Sequence, residues 1–275
     1  MVIINFIIHS PANNVTGDFT TCIKNSLREN RPEIRFFHLK GENWDIHPKI
    51  VKEYILADDE SMSNVSPLGY RKMIRFYTIR IWEILDMLGY TWVMRLDDDS
   101  RIFSPINYDI FSFMETFHYQ YAYRIVALET PGFSFWDFVQ SYVIDANITN
   151  TRQLLDSCDQ KRNIKDFNFG NCGQMPGYYN NFFVTNVSRW LEPDVQHLLK
   201  TIDDSGTIFM FRWTDLNFQS LVVRLLFEEN SVHRFTGFGY AHLSGNQKYP
   251  LYGIVQTGAS FFCYFLIITG CAGVV

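Results

Sequence analysis

Three adjacent carboxylates, Asp97-Asp98-Asp99, close an apolar run from Tyr90 to Leu96. Carboxylates this close repel one another, and a divalent cation is the usual counter-charge that stabilises such a cluster. Side chains alternate along an extended backbone, so Asp97 and Asp99 share a face while Asp98 points elsewhere. The spacing presents an oxygen-rich face suited to Mg²⁺ or Mn²⁺ bridging a diphosphate. An acidic triplet also serves as an N-cap cluster or a solvated turn; the hydrophobic strand in front of it favours the metal reading. Asp-x-Asp is in addition the nucleophile pattern of phosphohydrolases. In those enzymes it ends the first strand and works with a downstream lysine and acidic pair, a set without a clear counterpart in this chain.

Three further patches carry chemistry. In Tyr70-Arg71-Lys72-Met73-Ile74-Arg75-Phe76, the i, i+4 spacing puts Arg71 and Arg75 on one helix face. Their guanidinium forks could meet phosphates or the acidic cluster, or snorkel as ordinary surface cations. Asp215, in Phe211-Arg212-Trp213-Thr214-Asp215, opens a helix as a cap-region residue or contacts a sugar hydroxyl. His242 lies in the turn Gly237-Phe238-Gly239-Tyr240-Ala241-His242, as a metal ligand or as a surface or core histidine.

The elements that must position these residues alternate. Strands are expected at Val2–His9, Ile34–Leu39, Tyr90–Leu96, Tyr121–Leu128, Tyr178–Val184 and Val232–Phe235. Helices are expected at about Phe19–Glu29, Tyr70–Leu88, Tyr108–Phe117, Trp136–Ala146, Leu191–Ser205 and Thr214–Phe227, and a polar loop at Thr149–Pro176. The β-α-β opening implies parallel pairing, and the Tyr90 strand reads as one buried on both faces in a parallel sheet. Ligands of such sheets sit beyond the carboxyl ends of the strands, where Asp97 and Asp99 fall. The chain reads as an α/β fold, with one domain over residues 1–250 and an apolar tail over 251–275.

Composition narrows the function classes. A net charge of −5 and the lack of a basic stripe interleaved with aromatics argue against a nucleic-acid partner. Aromatics, at 17% of residues, serve core and pocket alike. The five cysteines show no CxxC spacing, which excludes the usual structural zinc patterns; Cys158 and Cys172 flank the polar loop and could bridge it. Sequons at Asn14, Asn64, Asn147 and Asn186 point towards a secretory lumen. No basic n-region or cleavage site precedes the first strand, so no signal peptide is expected. Residues 253–275 carry no charge and are long enough to span a bilayer, a tail anchor competing there with a buried hairpin.

Six motifs, taken in order, resemble the glycolipid 2-alpha-mannosyltransferase family (glycosyltransferase family 15), the Golgi α-1,2-mannosyltransferases best known from fungi. They are Tyr70–Phe76 (Tyr-Arg-x-Met-x-Arg-Phe), Asp97–Asp99 (the acidic motif), Ile106–Asp109 (Ile-x-Tyr-Asp), Asn181-Phe182, Arg212–Asp215 (Arg-Trp-x-Asp) and Gly239–His242 (Gly-Tyr-x-His). The resemblance implies a GT-A type fold, a mixed, mostly parallel sheet flanked by helices. It implies transfer of mannose from GDP-mannose to a mannosyl glycan of a glycoprotein or glycolipid, with retention and with Mn²⁺ (or Mg²⁺), in the Golgi or secretory lumen. By the same resemblance Asp97, Asp99 and His242 hold the metal, and Tyr70, Arg71, Arg75, Asp97 and Asn181 line the donor site. Asp215 falls near the sugar.

Two departures stand out. The family's Glu-Pro-Asp is Asp-Asp-Asp here, which keeps the carboxylates. The family's glutamate after Asn-Phe is Phe183, so a double displacement through that position is impossible. Transfer then needs front-face attack with leaving-group assistance or another carboxylate, Glu129 or Asp215; the alternative is an inactive relative that binds sugar or protein.

Overall fold

In chain order the elements are β1 (Val2–Ile8), β2 (Glu33–His38), α1 (Leu68–Arg75), a π-helical segment (Phe76–Arg80), α2 (Ile81–Met87), β3 (Trp92–Asp97), β4 (Ser100–Ile102), α3 (Ile110–Thr116), β5 (Tyr121–Tyr123), β6 (Val126–Glu129), α4 (Phe133–Asp145), β7 (Met175–Tyr178), β8 (Phe182–Asn186), α5 (Val187–Trp190), α6 (Pro193–Ser205), α7 (Thr207–Met210), α8 (Asp215–Leu226), β9 (Val232–Arg234), β10 (Tyr240–His242) and β11 (Tyr264–Thr269). They come from a computed structural model that describes residues 2–8, 33–38, 44–48, 50, 68–97, 100–129, 133–151, 154, 175–211, 213–242 and 264–269, with the backbone alone in β1, β2 and β11. The expected helix at Phe19–Glu29, most of the loop at Thr149–Pro176, Cys158, Cys172, Asp98, Asp99 and Arg212 lie outside the described residues.

Seven strands form one sheet in the order β2-β1-β11-β3-β8-β5-β9. β1 with β2 and β5 with β9 pair in parallel, while β11 and β8 run against their neighbours. Five strands therefore share one direction. Because the two reversed strands are interleaved, β3 has an antiparallel neighbour on each side, not the parallel ones its apolar sequence suggested. Burial on both faces, whatever the neighbours' direction, is what that sequence reports.

The sheet separates two apolar layers, and the period of two decides which residue enters which. Val93 and Phe183 join the larger core, beneath helices α1, α2, α4, α6 and α8. Trp92, Met94, Phe182 and Val184 join a smaller core with Ile110 and Met114 of α3. In the larger layer Trp82 stacks on Trp190 with centroids 4.0 Å apart. Full burial of each such ring removes apolar surface worth roughly 1.5–3 kcal/mol. The expected strand at Tyr121–Leu128 breaks after Tyr123, and its second half, β6, pairs with β7 in a separate two-stranded sheet. The expected strand at Tyr178–Val184 is likewise two, divided at Tyr179–Asn181.

Local chemistry fixes the helix ends near the sheet's working edge. Thr214, not Asp215, caps α8 through a capping box with Asn217, which leaves Asp215 in the first turn. α6 begins with Pro193 and ends at Gly206, whose φ of 69° is left-handed. A Cβ on Gly206 would stand 2.0 Å from Cδ1 of Ile50, so any other residue would carry the left-handed strain and push that side chain aside. The apolar tail contributes β11, which lies between β1 and β3. Among the described residues no helix is long and apolar enough to cross a membrane.

Candidate active site

Arg95 and Asp97 are two residues apart on β3 and so project from the same face, towards α8. Arg95 Nε donates to Asp97 Oδ1 at 2.7 Å and Nη2 to Oδ2 at 3.2 Å, while Nη1 donates to Asp215 Oδ2 at 2.8 Å. The guanidinium carbon lies 4.1 Å from the centroid of the Tyr77 ring, a cation–π contact. All three charged groups are buried. Burial by itself would pull the Arg95 guanidinium down, but the Asp97 and Asp215 carboxylates, with Tyr77, override it and hold it well above its ordinary value. One cation serves two anions, and burial pushes the Asp97 carboxyl up against the opposing pull of Arg95.

Asn181, in the turn before β8, ties this ion cluster to His242. Its carbonyl accepts from the Asp97 backbone nitrogen at 3.0 Å, and its Nδ2 donates to Asp97 Oδ2 at 2.5 Å and to His242 Nε2 at 2.8 Å. His242 Nδ1 bonds the Tyr179 hydroxyl at 2.9 Å. The tautomer assigned by these contacts carries its proton on Nδ1 and keeps the Nε2 lone pair towards Asn181. The expected turn at His242 is a strand: β10 pairs antiparallel with β4, which sets His242 opposite Ser100, the residue that follows the acidic triplet. Ser100 Oγ and the Tyr240 hydroxyl, 2.8 Å apart, bind the two strands together.

On the other flank Glu129, at the end of β6, accepts from Thr214 Oγ1 at 2.7 Å. Glu129 and Asp215 thus stand at one helix N-terminus, where free backbone N–H groups and the macrodipole favour negative charge. Hydrogen bonds join His242, Asn181, Asp97, Arg95 and Asp215 in one run, and Glu129 stands beside its end, bonded to Thr214, the chain neighbour of Asp215. Arg95, absent from the expected site, is its centre. The signal for it was a lone cation in an apolar strand, two residues before Asp97.

The two arginines of α1 have partners of their own. Arg75 is buried and bidentate to Asp203 of α6, at 2.7 and 2.8 Å, and its third donor meets the Asp45 carbonyl at 2.7 Å. Arg71 is buried and donates to the Phe209 carbonyl of α7 at 2.5 Å. Both cations bind helices together, on the buried face of α1 that they share. Tyr70 is half-buried against the same core. Phe183 is buried too and stacks on Tyr121 at 5.8 Å.

A carboxylate oxygen and an imidazole nitrogen suit Mn²⁺, and the lone pairs of Asp97 and His242 converge on one electropositive point, Asn181 Nδ2. Among the described residues no group of three or more His, Cys, Asp or Glu side chains completes a metal site. Both Asp97 oxygens also accept from Arg95, and the Nε2 of His242 is held by Asn181.

Residues 5–260 match the family model described as glycolipid 2-alpha-mannosyltransferase. Among curated relatives, the probable mannosyltransferase KTR4 of Saccharomyces cerevisiae is 24% identical over 238 residues, 82% of this chain and 51% of that protein. The glycolipid 2-alpha-mannosyltransferase of the same yeast is 24% identical over 228 residues, 76% of this chain and 48% of the relative. This chain spans about half the length of these relatives. The core-mannan synthase A (CmsA/Ktr4) of Aspergillus fumigatus, solved in a Mn/GDP form, superposes with a TM-score of 0.74 at 17% identity, covering 87% of this chain and 66% of that one.

Proposed function

This chain belongs to the glycolipid 2-alpha-mannosyltransferase family, and we propose that it is a GDP-mannose-dependent mannosyltransferase acting on a mannosyl glycan in the secretory lumen. The observation that carries the proposal is the single nitrogen, Asn181 Nδ2, shared by Asp97 and His242 at the carboxyl end of β3. With Asp99 from the acidic triplet, these residues would hold Mn²⁺. When bound, the ion supplies positive charge to a diphosphate leaving group. The linkage implied by the resemblance is α-1,2, with retention.

The chain's own groups do the rest. Arg95 fixes Asp97 and Asp215 against each other, so both carboxylates keep their orientation without solvent. Asp215, in the first turn of α8, and Glu129, held against that turn by Thr214, are positioned to accept a hydrogen bond from a sugar hydroxyl or to take its proton. Phe183 offers no carboxylate at the family's glutamate position and packs into the core. Attack by the acceptor on the face the diphosphate leaves, with no enzyme-bound sugar at residue 183, is the route this chain supports. The burial of Phe183 also favours a second reading, a relative that binds the donor without transferring from it.

Turnover of GDP-mannose by the full chain, with Mn²⁺ and a mannoside acceptor and against Asp99→Ala, separates the two. Mannosylated acceptor lost in Asp99→Ala supports transfer. GDP binding with no turnover supports the second reading, and neither binding nor turnover defeats both.

A further inference from the structure

The sequons differ in their surroundings, and we propose that Asn147 is a site of N-linked glycosylation while Asn186 is closed to it. The inference rests on the secretory-lumen reading above. Asn147, in the turn that follows α4, has a φ of 50°, in the left-handed region that asparagine tolerates better than most residues. The turn is closed from below: Asn147 N donates to the Ile144 carbonyl at 3.1 Å and Ile148 N to the Val143 carbonyl at 3.0 Å, with Ile148 packed against the larger core. Asn147 and Thr149, which flank it, are both exposed. A bulky, solvated glycan at Asn147 therefore meets open water.

Asn186 is in the opposite situation. It is half-buried at the junction of β8 and α5, and its Oδ1 caps α5 by accepting from Ser188 N at 2.9 Å and Ser188 Oγ at 2.6 Å. Its backbone nitrogen donates to the Gln120 carbonyl at 2.9 Å, and Val187 beside it is buried. A glycan there would pull the end of β8 from the sheet.

The donor class is an oligosaccharide carried on a polyprenyl diphosphate. Asn147 Nδ2 bonds to the sugar C1 as the C1–O bond to the diphosphate breaks. The lipid diphosphate leaves with the bonding pair, and an amide proton passes to a base of the transferring enzyme.

The test is glycopeptide mass spectrometry of the full chain, placed behind a cleavable leader in a eukaryotic secretory host. Peptide-N-glycosidase in ¹⁸O water marks each formerly glycosylated asparagine. The Asn147 peptide should carry the mark and the Asn186 peptide should not. Thr149→Ala should remove one glycan from the gel mobility with the Tm unchanged within about 1 °C. Asn186→Ala should leave the glycan count unchanged and lower the Tm by roughly 2–4 °C through the lost cap. An unmarked Asn147 or a marked Asn186 overturns the proposal. Because the leader enforces entry, failure at Asn147 counts against the site. The compartment reading fails separately, if the untagged chain fractionates outside its own cell's secretory organelles.

Discussion

Replacing Arg95 by methionine removes the one guanidinium that serves two buried carboxylates while keeping a side chain of similar length. Arg95, Asp97 and Asp215 are 2%, 6% and 6% exposed, so solvent cannot replace the lost counter-charge. Breaking a buried pair from one side costs about 3–5 kcal/mol, because the remaining charge stays desolvated. Against a total stability on the order of 5–15 kcal/mol that is a large fraction. At roughly 2–4 °C per kcal/mol for a chain of this size, the Tm should fall by roughly 6–20 °C. Arg95→Lys keeps the charge but cannot fork to both partners, so it should fall between parent and methionine variant. Combining Arg95→Met with Asp97→Asn and Asp215→Asn deletes the orphaned charges as well and should recover most of the loss. Thermal scans by circular dichroism, with urea titrations to obtain free energies, measure all four proteins. A methionine variant within about 2 °C of the parent, or a triple variant no more stable than the single, would show that Arg95 does not offset the two buried charges.

Arg75→Met should lower stability by about 3 kcal/mol or more while leaving the KM for GDP-mannose within about twofold, since its partner is Asp203; steady-state kinetics beside urea titration check both, and a raised KM would put Arg75 in the donor site. His233 stacks on Tyr119 at 4.5 Å, and burial pulls its imidazole below the ordinary value. The fold therefore favours neutral His233: this contribution is complete above the unfolded pKa of about 6.5 and is lost as pH falls through the lowered folded value. His233→Phe should remove that acid-side loss, so that urea midpoints of parent and variant diverge from about pH 7 to about pH 5; a constant difference contradicts the sign. Gly206→Ala should cost more than about 1 kcal/mol, through the left-handed φ and the contact with Ile50, and a neutral result in the same assay would show that the α6 end can shift.

What was legible in the sequence was local. The apolar run ending at Asp97 reads as a buried strand, and the three-four spacing from Tyr70 to Leu88 reads as a helix, because burial imprints its period on one segment. The β1–β2 parallel pair follows from the same logic. Asp97, Asn181 and His242 were named from motif order, and the fold joins them. What the sequence did not carry is pairing at long range. Nothing in Tyr264–Thr269 says that it enters the sheet between β1 and β3. Nothing in Arg71 and Arg75 says that their face is the core face, since a helical period locates a stripe without saying what covers it. Arg95 was passed over because a cation in an apolar strand becomes meaningful only when Asp215, 120 residues away, is known to face it. Phe183 stands in the sequence as an apolar residue after Asn181-Phe182, but its place in the aromatic core is visible only in three dimensions.

The carboxyl end of β3, with Asn181 and His242, is proposed as a metal–diphosphate site. Titration of Mn²⁺ into the full chain with GDP, followed by the electron paramagnetic resonance of free Mn²⁺, measures it directly. One Mn²⁺ per chain should be taken up in a GDP-dependent way, weakened by about tenfold or more in His242→Ala and similarly in Asp99→Ala. Uptake of the same strength in parent and His242→Ala, or none with GDP present, would contradict it.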